Sequence, residues 1–174
     1  VYLHATGAAR NSDPLAAFQD LAEEHQTIVV CPQSSSERAW RATDTEFVRK
    51  VIDQITKDYS IDAARVVIAG RQSGGSIAYL TAFSNTEVIR GVIPLEVAVP
   101  QRVRLPETDP VNPLYVATSL SEGKPAAKGV AVSIERLRKL KYPVTIIPDL
   151  DRIGNWDSTS LSPLFVWLDT LDRI

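Results

Sequence analysis

Short, uniformly apolar runs alternate with amphipathic stretches of helical length along this whole chain. That alternation constrains the fold more than any other feature. Val1 to Leu3, Thr27 to Val30, Arg65 to Ala69, Gly91 to Ile93, Leu114 to Thr118 and Val144 to Ile147 read as six strands. A strand that is apolar on both sides has to be covered on both sides, and a mostly parallel sheet flanked by helices does this. The expected class is therefore α/β, doubly wound. Nothing in residues 1–174 reads as a linker or a repeat, so a single domain without a lid is expected.

The helices are legible from period and caps. Asp13 as N-cap and Pro14 at the first helical position open a helix to about Glu24, with Leu15, Phe18, Leu21 and Ala22 on one face. Thr45 to Tyr59 is the next, with Phe47, Val51, Ile52 and Ile55 expected inward. Ser73 to Phe83, Lys124 to Leu140 and Pro163 to Leu171 follow. Ser34 to Ala42 is a polar loop, and Arg102 to Pro113, with three prolines, reads as an irregular connection.

Charge removes several function classes. Nineteen Lys and Arg against 21 Asp and Glu leave a net charge of −2, so no basic field calls for nucleic acid. No apolar run approaches the roughly 20 residues of a membrane helix. The chain lacks Met and opens directly on a strand, which raises the expectation of further protein upstream, and an upstream domain or a separate protein is the expected partner. Cys31 is the only cysteine and reads as a small residue at a strand end.

In a sheet of this class, ligands bind beyond the carboxyl ends of the strands. Three segments there carry a resemblance. His4-Ala5-Thr6-Gly7 after a strand is similar to the His-Gly-x-Gly oxyanion loop of α/β-hydrolases. Arg65 to Gly75 resembles the strand and nucleophile elbow of that superfamily. Ile28 to Gln33 resembles the strand ending in Cys-Pro-Gln of its small esterase and dienelactone-hydrolase-like members. The order of elements fits nearly the whole chain, entering at the third strand of the usual sheet.

The resemblance implies a serine nucleophile, a histidine base after the last strand and an acid after the strand before it. The elbow demands tiny residues two before and two after the nucleophile, because the chain crowds there. Gly70 and Gly74 flank Gln72 in this way, with Gly75 next, and a carboxamide is no nucleophile. Ser73 is the fallback, but its neighbour two before is Arg71; it reads as a helix-start residue whose N–H would be an oxyanion donor. The base falls near Asp151 or Arg152, in a loop without histidine, and the acid near Ser121 or Glu122. The only histidines are His4, read as structural in the oxyanion loop, and His25, read as a solvated helix-end residue. The expectation is a catalytically degenerate relative of esterases acting as a scaffold, protein-interaction or ligand-binding domain. The alternatives are an active serine esterase or peptidase-like hydrolase using Ser73, and a protein that binds a small anionic molecule.

Other constellations add little. Asp149, Asp151 and Asp157 share a loop with Arg152 in no EF-hand spacing, so no metal and no cofactor are expected. Trp40 and Trp156 stand near the rim of the site as pocket walls, a protein-binding patch or simple packing. Trp167 belongs to the core. Arg136, Arg138, Lys139 and Lys141 complement a helix C-terminus.

Overall fold

The computed structural model describes residues 1–5, 7, 14–36, 38–101, 103–120, 126–148, 150 and 158–171. Among them, β1 (Tyr2–Leu3), β2 (Val67–Arg71), β3 (Gly91–Leu95), β4 (Tyr115–Thr118) and β5 (Val144–Ile146) form one sheet in the order β1-β2-β3-β4-β5. Every pairing is parallel. The helices are α1 (Pro14–Glu24), α2 (Asp44–Asp58), α3 (Ser73–Ser84), α4 (Ala127–Lys139) and α5 (Ser158–Thr170).

The apolar strands bury both faces, as their composition requires. Ile68, Val92 and Val116 face a cluster that holds Val48 and Ile52 of α2, Ile77 and Ala78 of α3 and Leu137 of α4. Ile93, Leu95 and Ala117 face a second cluster with Phe18 and Leu21 of α1 and Leu161, Leu164 and Phe165 of α5. The helices therefore divide between the two sides of the sheet, which is the doubly wound arrangement. Each fully buried Leu, Ile or Val contributes about 1.5–3 kcal/mol of transfer free energy, so the central strands hold the two layers together.

Several expectations need correction. The sheet has five strands among the described residues, not six. Residues 27–30 run beside β1 and make one backbone bond to it, Tyr2 N–H to Val30 O at 2.8 Å, without joining the ladder. Ile28 is 43% exposed, since this segment lies at the rim of the sheet formed by the described residues. β5, at the other edge, leaves Thr145 and Ile146 exposed for the same reason. Apolar composition marked both segments as interior, but an edge position overrides it.

In α2 the buried row is Asp44, Val48 and Ile52, while Phe47 is exposed. The apolar stripe is centred one residue away from the expected one, with Val51 and Ile55 half-buried beside it. Helix α5 begins at Ser158 and carries Pro163 inside it, rather than starting there. His25 is not a solvated helix-end residue. Its Nδ1 lies 2.5 Å from Asp169 Oδ2, and its ring rests 5.3 Å from that of Phe165, so it ties α1 to α5. Asp13 lies outside the described residues.

Two buried phenols make the fold sensitive to alkali. Burial pushes Tyr2 up to about 12 from an ordinary 10, against a smaller opposing pull from Arg71. Burial raises Tyr79 further. Folding thus favours the neutral phenols, and their contribution is complete below pH 10 and lost as pH rises through the folded values. Above pH 10 urea midpoints are expected to fall, with Tyr2→Phe and Tyr79→Phe each flattening the fall.

Candidate functional site

The chain reverses its winding direction next to β1. From β1 it runs out through α1 to residues 27–30 on the outer side, then returns through α2 to β2 on the inner side. Such a reversal opens a crevice beyond the carboxyl ends of the adjoining strands. His4, Ala5 and Gly7 leave β1 there, and Gln72 and Ser73 leave β2. The topology thus gathers the two motifs that are far apart in sequence.

The turn from β2 into α3 is tight. Gln72 has φ 51° and ψ −115°, a conformation that side-chain-bearing residues seldom adopt. Its N–H donates to Leu95 O at 3.0 Å, and its carbonyl accepts the first helical bond, from Ser76 N–H at 3.0 Å. The glycines explain how the turn closes. A methyl group on Gly70 would overlap the backbone of Gly74, and one on Gly74 would overlap the carbonyls of Leu3 and His4. One on Gly75 would strike Val97 and the Gly70 carbonyl. Gln72 therefore has the strained backbone and the crowded glycine neighbours expected of the projecting residue, and Ser73 is the first residue of α3.

Both nitrogens of His4 are engaged. Nδ1 is 2.8 Å from Ala5 O, and Nε2 is 3.2 Å from the backbone nitrogen of Ser34. The Ser34 N–H can only donate, so Nε2 accepts and the Nδ1–H tautomer follows. Trp40 does not stand at the rim as a pocket wall. It is 6% exposed, its Nε1–H donates to His4 O at 3.1 Å, and its ring lies 5.0 Å from the imidazole. The pair fixes the exit from β1.

The site holds an ion pair that sequence reasoning missed. Arg71 donates twice to Glu96, Nε to Oε2 at 2.7 Å and Nη2 to Oε1 at 3.0 Å. Gln72 Nε2 lies 3.4 Å from the same Oε2, a long contact. Glu96 follows β3 with φ 55°, a second left-handed residue beside the first. The available signal was a lone carboxylate directly after the apolar run Gly91 to Leu95, at a carboxyl strand end. Arg71 looked too large for an elbow neighbour, and its length is what carries the guanidinium across to β3.

Thr6, Ser121, Glu122, Asp149, Asp151, Arg152, Trp156 and Asp157 lie outside the described residues. Ser119, directly after β4, is buried. Among the described residues no group of three His, Cys, Asp or Glu side chains could hold a metal ion, and no helix is long and apolar enough to cross a membrane.

Solved structures share this architecture. The Pyrobaculum calidifontis esterase aligns with a TM-score of 0.72 at 12% identity, over 99% of this chain and 76% of its own. The Bacillus cereus carboxylesterase aligns at 0.63 and 18% identity, over 98% of this chain and 88% of its own. A thermostable esterase aligns at 0.64 and 16% identity over 97% of this chain, which spans only 53% of that esterase's length. No family model and no curated protein matches the sequence. Sheet order, elbow and neighbours together define the α/β-hydrolase fold, and this chain has it.

Because Gly74 sits against the carbonyls leaving β1, Gly74→Ala is expected to cost about 2–4 kcal/mol in urea denaturation. Gln72→Ser, which keeps the same turn, is expected to change stability by less than about 1 kcal/mol.

Proposed function

We propose that this domain is a non-catalytic α/β-hydrolase fold serving as a scaffold or binding module. The observation that carries the reading is Gln72 in the strained turn between Gly70 and Gly74. A hydrolase of this design needs a hydroxyl or thiol there, and a carboxamide offers neither. The histidine inventory supports the same reading. The chain has two, one held between Ala5 and Ser34 and the other paired with Asp169. The usual general base for a serine nucleophile is an imidazole, and both imidazoles here are held by other partners.

Beside the elbow stands an ion pair. Arg71 and Glu96 form a half-buried bidentate pair there, which resists separation. A domain with these features retains the shape of an esterase without the proton traffic of one. Its role then lies in what it binds, through the crevice or through its surface.

The competing reading is an active esterase with Ser73 as a displaced nucleophile. A fluorophosphonate probe separates the two, because it labels only an activated serine. The purified domain is expected to remain unlabelled and to leave aryl esters at the buffer rate, with Ser73→Ala indistinguishable from the parent. Labelling that disappears in Ser73→Ala would overturn the non-catalytic reading.

A further inference from the structure

Helix α4 carries a charge pattern that the fold does not account for. Its buried residues are Val130, Ser133, Ile134 and Leu137. Lys128, Val132 and Lys139, at spacings of four and seven, share the opposite face, with Arg136 beside them. All four are exposed, and Val132, at the middle of the row, is 65% exposed. The row is about 16 Å long at 1.5 Å per residue. Lys141, just past the end of the helix, is exposed as well.

In α2 the cations are matched: Arg49 pairs with Asp53 and Glu87, and Lys50 with Glu46. Among the described residues, Lys128, Arg136, Arg138, Lys139 and Lys141 form no ion pair, and Glu135, four residues before Lys139, does not pair with it. Two of these cations also stand where the helix disfavours them. The negative end of the dipole suits Arg136, Arg138 and Lys139 in the last turn. Lys128 lies in the first turn, at the positive end, with no acidic residue there and no side-chain cap at Ala126. Lys141 has φ 65°, in a closing turn where its N–H donates to Arg138 O at 2.9 Å and that of Tyr142 to Leu137 O at 3.0 Å. Glycine is the usual residue at that place. A helix shaped for stability alone favours an acid in the first position and glycine in the second.

We propose that the outer face of α4 docks an acidic helix of another protein, with an aliphatic side chain against Val132 and carboxylates against Lys128, Arg136 and Lys139. Unmatched positive charge selects an acidic partner. A row one helix wide with an apolar centre fits a second helix laid along it. A membrane surface or a nucleic acid would bring phosphates against Glu135 and leave Val132 as the single apolar contact of the row. A second copy docking through the same face would oppose like charges. The inference does not depend on the state of the elbow, and the fluorophosphonate result does not bear on it.

The test uses fluorescence anisotropy of the intact chain with a labelled, end-capped, alanine-based peptide of about 18 residues, long enough to form a helix alone. One face of the peptide carries a leucine flanked by glutamates. Saturable binding that weakens with added salt is expected. The same peptide with lysine in place of glutamate is expected not to bind. Lys128→Glu with Lys141→Gly is expected to weaken binding about tenfold while raising the urea midpoint, because both replacements suit the helix ends. A purely structural role would not move the two readings in opposite directions. Four outcomes overturn the proposal: no binding of the glutamate peptide, equal binding of the lysine peptide, unchanged affinity in the double variant, or tighter binding to phosphatidylserine vesicles or a random DNA duplex. Sedimentation showing a dimer that the double variant dissolves would likewise assign the face to a second copy.

Discussion

The close crossing of α3 over β1 and β2 is the constraint on which the rest of this structure depends. Gly74 meets the carbonyls of Leu3 and His4, and Gly70 meets Gly74, with no room for a methyl group at either. Only because those three segments touch can α3 start at the carboxyl end of β2 and lie flat on the sheet. Its residues Ile77, Ala78 and Ala82 then reach the cluster formed with Ile68 and Val92. The same crossing forces Gln72 into its unusual backbone conformation. Packing on both sides holds that strain, which costs on the order of 1–3 kcal/mol.

A second strained residue stands next to the first. Glu96 leaves β3 with positive φ, and its carboxylate takes both donors of Arg71. The pair is 23% and 11% exposed, so it is shielded enough to exceed an open surface bridge and wet enough to avoid the full cost of burial. It joins the ends of β2 and β3 across the crevice. The ordinary use of such a crevice in this fold is to expose a reactive side chain. Here it is occupied by a salt bridge and a carboxamide, which is why we read the domain through its binding surfaces.

Much of the architecture was legible in the chain. Asp-Pro before Leu15 and Phe18 located α1, and β-branched runs bounded by Gly and Pro located β2 to β5. The flanking glycines located the elbow at Gln72 because their need is local: two residues before and after, a side chain does not fit. The misses share one cause. Thr27 to Val30 and Val144 to Ile146 have the composition of interior strands, yet lie at the rims, and composition carries no lateral position. Phe47 and Val48 are equally apolar neighbours in α2, and the partner surface chose Val48. His25 met Asp169, a residue 144 positions later, which no local pattern announces.

The sequence by itself determined the class of fold, the place of the elbow and the residue that stands in it. These depend on period, on turn chemistry and on the size of side chains near one another along the chain. Tertiary structure alone decided that Arg71 would pair with Glu96 and that Trp40 would lock His4. Those outcomes depend on which elements become neighbours in space. That is set by the reversal of winding at β1, and by the energy of burying both faces of the sheet together.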